Sequence, residues 1–183
     1  MRKIVAVSTR KRDNDMEDPT VDSFLDGSMG LSTNFVYLFN LNKCRTVQNS
    51  GTLDMFSGDR NVPGAPYDDL SIVVKQVMSS SCTVFSTSVD GYGLCPLFRI
   101  LINRMKAAHL DSEPGEGRDA VLFISTSTDM AMTERIRDKV RDDLESMGFT
   151  LREGMIYTDD PQSTSEIIDI AKVAGSRYSV RVE

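Results

Sequence analysis

Apolar and polar residues follow two periods along this chain, and the switches between them mark its elements. Ile4-Val5-Ala6-Val7-Ser8 is a short apolar run of strand length. Val21 to Met29, with Phe24 and Leu25 inside it, has helical spacing and ends near Gly30, a residue suited to a helix C-terminus. Phe35 to Phe39 is a second strand. Asp68-Asp69-Leu70 opens a helix whose residues Leu70, Val73, Val74, Val77 and Met78 recur at helical spacing, introduced by a good N-cap type and stopped near Ser79-Ser80-Ser81. Cys82 to Thr87 is β-branched and apolar enough for a central strand, Thr87 to Gly93 reads as a loop, and a helix follows through Leu97, Leu101, Ile102 and Met105.

Past a polar connection over 111–118, Ala120-Val121-Leu122-Phe123-Ile124-Ser125 is a fourth strand, continuous enough in apolar character to be buried on both faces. Met132 to Met147 places Ile136, Val140, Leu144 and Met147 on one stripe and closes at Gly148. Phe149 to Tyr157 is a fifth strand, and Ser163 to Tyr178 a last helix in which Ser163 and Glu166 have capping-box spacing. Asn40 to Tyr67 is the least regular stretch, broken by Gly51, Gly58, Pro63, Gly64 and Pro66, and is expected to be a lid or an oligomer contact.

Strands interleaved with helices predict a single domain over 1–183, a three-layer α/β/α sandwich around a five-stranded parallel sheet. The flavodoxin-like order 2-1-3-4-5 is the default for that strand count. It puts the loops after Ser8 and Thr87 side by side at the edge where open α/β sheets bind ligands.

Composition narrows the picture. A chain of 183 residues, 40% hydrophobic, suits one full core. No apolar run is long enough to cross a bilayer, and the first residues read as a strand rather than a secretory leader, so a cytoplasmic protein is expected. The net charge of −6 argues against nucleic acid, since the basic cluster Arg10-Lys11-Arg12 is followed at once by Asp13, Asp15, Glu17 and Asp18. Cys44, Cys82 and Cys95, odd in number and widely spaced, suit free thiols in a reducing compartment. No metal-ligand spacing is legible. His109 stands at a predicted helix tail, where a dipole contact is the ordinary reading and catalysis the alternative.

The stretch from Asp68 to Arg104 resembles the corresponding part of the NADPH-dependent FMN reductase family. That family reads roughly Asp-Asp-Met, a helix, an apolar strand, Thr-Pro-Val-Tyr, a glycine-bearing loop, Leu-Lys and Asp-Arg. Without a gap, Asp68, Asp69, Thr87, Val89 and Arg104 coincide, and Leu70, Arg99 and Asn103 are close replacements. Upstream, Ser8-Thr9-Arg10-Lys11 is similar to the family's Ser-Pro-Arg-Lys phosphate loop, and Phe24-Leu25-Asp26-Gly27 to the end of its first helix.

The resemblance implies an FMN-dependent oxidoreductase with NADPH or NADH as donor and a small-molecule electron acceptor such as a quinone or free flavin. It also implies a homodimer or higher homo-oligomer in which each site is partly covered by the partner. Ser8, Arg10 and Lys11 would face the phosphate. Thr87, Ser88, Val89, Asp90 and Gly91 would face the ring with Tyr92 as aromatic cover, and Ser125 and Thr126 would form a third wall. The redox chemistry would belong to the flavin, so no side chain is named catalytic.

The chain departs from that family in specific places. Ser88 and Asp90 replace its proline and tyrosine, and the first loop carries Asp13, Asp15, Glu17 and Asp18 where small hydroxylic residues are expected. Carboxylates within about 6 Å of a phosphate repel it, so these either face solvent or compromise the site. The alternative is therefore a flavodoxin-like domain that has lost FMN and acts as a binding or regulatory subunit. An iron–sulfur centre is rejected because Cys44 stands alone where further thiolates are needed. A receiver domain would want acidic residues where Ser8 and Thr87 stand. The pair Asp68-Asp69 reads as helix capping, with acid-base work as its rival. Ser125 to Asp129 is either a pocket wall or a plain turn capped by Asp129.

Overall fold

A computed structural model describes residues 2–10, 18–29, 34–44, 68–110 and 117–179. The elements run β1 (Lys3–Ser8), α1 (Pro19–Met29), β2 (Phe35–Asn40), α2 (Leu70–Met78), β3 (Cys82–Asp90), β4 (Gly93–Leu94), α3 (Pro96–Leu110), β5 (Arg118–Thr126), α4 (Met130–Ser146), β6 (Phe149–Thr158) and α5 (Pro161–Ser176). Lys11, Gly30, most of the expected 40–67 lid and most of the 111–118 connection lie outside the described residues.

The long strands are parallel in the order β2-β1-β3-β5-β6, the flavodoxin-like arrangement expected, with β4 added as a short antiparallel partner of β3. Alternation along the strands divides the core in two. Val5, Val7, Phe85, Leu122 and Ile124 pack against α2, α3 and α4 through Leu70, Val73, Leu101, Met105 and Leu144. Ile4, Ala6, Val84, Val121 and Phe123 pack against α1 and α5 through Phe24, Ile167 and Ala171.

Several boundaries differ from expectation for identifiable reasons. Strand β3 does not end at Thr87 but runs to Asp90, because Thr87, Ser88 and Val89 continue to pair with Ile124, Ser125 and Thr126 of β5. The expected seven-residue loop is thus a hairpin in which only Gly91 and Tyr92 lie outside β3 and β4. Gly93, at φ 105°, takes the conformation that side chains resist. Helix α5 starts earlier than Ser163, capped by Asp160, whose carboxylate accepts from the Ser163 N–H with Pro161 at the first turn, so the Ser163/Glu166 box is not what starts it. Asp129 does cap α4, accepting from the Met132 N–H at 3.0 Å.

Of the carboxylate pair Asp68-Asp69, it is Asp68 that caps α2, since the Asp69 side chain makes no cap hydrogen bond. Asp68 accepts from the Leu70 N–H with one oxygen and pairs with the Arg104 guanidinium through the other. His109 stands in the last turn of α3, where its charge would complement the helix dipole. Among the described residues, no helix is long and apolar enough to cross a membrane. Cys44, Cys82 and Cys95 are all free thiols, and burial pushes the Cys82 thiol up to about 12, which keeps it protonated.

Candidate functional site at the C-terminal edge of the sheet

The strand ends β1, β3 and β5 are tied into one rim. After β1, the Thr9 N–H donates to Ser86 O at 2.9 Å, and the Thr9 hydroxyl donates to that of Thr87 at 2.9 Å. Cys95 donates its N–H to Ser88 O at 3.0 Å and its thiol to Thr9 O at 3.8 Å, closing the hairpin onto the first loop. The Ser127 N–H donates to Val89 O at 3.2 Å, which brings in the loop after β5. The rim therefore forms at the switch point between β1 and β3.

Along the α1/α5 face, this edge carries a ledge of hydroxyls. Ser8 and Ser86 are register partners, and Ser125 is the partner of both Ser88 and Tyr157. Ser8, Ser86 and Ser125 continue, by alternation, the face that Ala6, Val84 and Phe123 occupy deeper in the sheet. The Oγ atoms of Ser86 and Ser125 are buried and have no protein hydrogen-bond partner among the described residues. Leaving such a group unsatisfied costs about 1–3 kcal/mol, so both hydroxyls favour a water or a polar ligand group beside them.

Beside the ledge lies the corner where the first loop meets α1. The Ser8 hydroxyl donates to Asp18 Oδ2 at 2.8 Å, and the Thr20 N–H donates to Asp18 Oδ1 at 3.2 Å. Asp18 O accepts from the Asp22 N–H at 2.9 Å and Pro19 follows, so Asp18 stands at the start of α1 with its carboxylate on the positive end of the helix. Arg10 reaches into the same corner. Its Nη1 lies 3.8 Å from Asp18 Oδ1, and both side chains are under a tenth exposed, at 8% and 6%. The same guanidinium donates to the Tyr157 hydroxyl and to Asp159 Oδ1, each at 2.5 Å. Burial pushes the Tyr157 phenol up to about 12, with Arg10 opposing, so its hydroxyl keeps its proton and lies 3.2 Å from the Thr20 hydroxyl.

The expected site residues divide accordingly. Ser8, Arg10 and Ser125 come together around the corner and ledge. Thr87 gives its side chain to the junction with Thr9, and Thr126 turns inward to the Thr133 hydroxyl at 2.8 Å, which leaves the turn reading of 125–129 stronger than a pocket wall for that residue. Asp90 Oδ1 accepts the Tyr92 N–H at 2.8 Å and sets the hairpin turn. Tyr92 is 98% exposed at the tip, standing off the surface rather than over a described wall. Sequence reasoning missed Asp18 as an inward group, together with Thr20, Tyr157 and Asp159. The available signal was Asp18-Pro19, an N-cap type followed by proline at the first helical position.

A separate groove of about 340 Å³ lies between α3 and α4, lined by Arg99, Asn103, Lys106, Lys139 and Asp143 among others, with Lys106 and Asp143 paired at 2.6 Å.

No family model and no curated protein matches the chain. Solved structures do. An NADH:FMN oxidoreductase in its apo form superposes with a TM-score of 0.63 at 13% identity, covering 99% of this chain and 92% of the other. An NAD(P)H:quinone oxidoreductase from Methanothermobacter marburgensis gives 0.65 at 12% identity over 100% and 99% of the two chains. A flavodoxin from the domain Archaea gives 0.55 at 8% identity over 96% and 98%. At these identities the likeness establishes the flavodoxin-like fold.

Proposed function

We propose that the protein is an NAD(P)H-dependent oxidoreductase that works with a flavin at the rim of β1, β3 and β5 and passes electrons to a small acceptor such as a quinone or free flavin. The observation that carries this reading is the rim itself: Thr9, Ser88 and Val89 are hydrogen-bonded into one edge at the switch point, beside buried hydroxyls of Ser86 and Ser125 that have no protein partner among the described residues. The solved oxidoreductases of the same fold support it as analogy. A flavin ring is flat and apolar with a polar edge, and the hairpin offers it open backbone at Gly91 and Gly93, where an added Cβ would meet nothing within 4 Å. The free thiols support a reducing, cytoplasmic setting. The same reading carries a homodimer, which sedimentation of the purified protein would test.

The other end of the edge does not fit FMN as it stands. The corner that would take a phosphate gives its hydroxyl, its helix N–H and part of its guanidinium to Asp18, and Arg10 also holds Asp159. That specific observation favours the second reading, a flavodoxin-like domain without FMN that serves as a binding or regulatory subunit.

Steady-state oxidation of NADH and NADPH with a quinone acceptor, with and without added flavin, separates the two. The enzyme reading expects flavin-dependent oxidation. It also expects that Gly91→Val, which adds bulk where the fold has room, lowers this by about tenfold or more at unchanged thermal stability. No flavin-dependent oxidation at micromolar protein would retire the enzyme and leave the subunit.

A further inference from the structure

We propose that Asp18 is a built-in anion that stands where a ligand phosphate would bind, so that the site takes a flavin with a neutral side chain, riboflavin, at least as readily as FMN. The flavin part of this rests on the proposed function, while the anion part stands on the corner alone.

A phosphate at the start of α1 would need a hydroxyl, a helix N–H and a guanidinium. Those donors are present, and Asp18 takes them: Ser8 Oγ at 2.8 Å, Thr20 N at 3.2 Å and Arg10 Nη1 at 3.8 Å. The carboxylate is not a surface group that can swing aside without loss, since its side chain is 6% exposed and its backbone opens the helix. A phosphate entering beside it would place a second anion on the same donors, with Asp159 as a third, against the one guanidinium that the described residues bring there.

The neighbouring hydroxyls point the other way in charge. Ser86 Oγ and Ser125 Oγ are buried, uncharged and without a protein partner among the described residues. Such groups exchange hydrogen bonds with a neutral polyol, and they lack the positive charge that would compensate a dianion. The corner thus opposes a phosphate, and the ledge offers no charge to offset that.

Asp18→Asn tests this, because asparagine keeps the shape and remains a good N-cap. The charge beside the buried Arg10 is lost with some stability, so each protein's Tm without ligand is the reference for its own phosphate response. Riboflavin and FMN are titrated against parent and variant by flavin fluorescence quenching, and inorganic phosphate is titrated against both by thermal shift. The parent is expected to bind riboflavin at least as tightly as FMN. The variant is expected to move the ratio toward FMN by about tenfold or more and to gain a phosphate-dependent rise in Tm that the parent lacks. An FMN preference of about tenfold or more in the parent, or an equal phosphate response in both proteins, overturns the role of Asp18 and leaves the flavin reading intact. If neither flavin binds either protein and phosphate stabilises only the variant, the flavin reading falls and the built-in anion stands. No flavin binding together with no phosphate response in the variant overturns both.

Discussion

Gly175→Val is expected to destabilise the protein by about 3 kcal/mol or more, and Gly175→Ala by somewhat less. In an isolated helix the alanine change would stabilise by about 0.5–1 kcal/mol, so the sign depends on what surrounds the position. A Cβ on Gly175 would lie 2.0 Å from Phe24 O and 3.1 Å from Ser28 N; one on Gly27 would lie 2.1 Å from Lys172 O. These are backbone atoms of the facing helix, so no rotamer change relieves the clash. Helices α1 and α5 must separate, exposing the contacts of Phe24, Ile167, Ala171 and Ala174. Urea unfolding of Gly175→Ala and Gly175→Val checks this, and an unchanged midpoint for valine contradicts the close packing. Function follows the same helix, because α1 begins at the Asp18 corner and its displacement should weaken ligand binding as well.

Asp68→Ala is expected to cost about 3–5 kcal/mol, the range for removing one partner of a buried ion pair. An exposed pair would be worth about 0–1 kcal/mol, and burial decides between the two. Here the Arg104 side chain is 6% exposed and that of Asp68 16%. Asp68 also accepts the Leu70 N–H at the start of α2, a bond that Asp68→Asn can keep while losing the charge. The asparagine variant should therefore fall between parent and alanine. Combining Asp68→Ala with Arg104→Met should recover part of the loss, since the charge left behind is removed with its partner. Urea unfolding of the set measures the coupling, and a loss of under about 0.5 kcal/mol in Asp68→Ala would show that the pair behaves as a surface contact. Flavin affinity should not change in Asp68→Asn, because the pair stiffens α2 against α3 and touches none of the rim.

The sheet was legible because its central strands are buried on both faces, and such strands read as continuous apolar runs. Ala120 to Ser125 is buried at every position, and the strand order followed from the number of alternating units. The end of β3 was not legible. Ser88, Asp90 and Gly91 carry turn chemistry, yet pairing with β5 extends the strand past Thr87, and tertiary pairing overrides local preference. The start of α5 was misplaced because a Ser-x-x-Glu pattern competed with Asp160-Pro161, the stronger cap.

The site was legible by place more than by role. Ser8 and Arg10 lie at the corner with Asp18, because a strand end feeding a helix start fixes where they lie. Asp18 was grouped with Asp13, Asp15 and Glu17, which lie outside the described residues, as one acidic run, and nothing in charge alone shows that Asp18 turns inward. Tyr157 and Asp159 lie 147 and 149 residues from Arg10, a proximity that exists only once the loop after β1 and the end of β6 meet in the folded chain. Thr87 looked like a ring contact because it follows a strand, but its hydroxyl is used to join β3 to the first loop.

Amide chemical-shift mapping during a riboflavin titration tests most directly whether the β1/β3/β5 rim is where the ligand binds. Thr9, Arg10, Gly91 to Leu94 and Ser127 should move together, while Arg99, Asn103 and Lys139 in the α3/α4 groove stay still. Shifts confined to that groove, with the rim unmoved, would contradict the account.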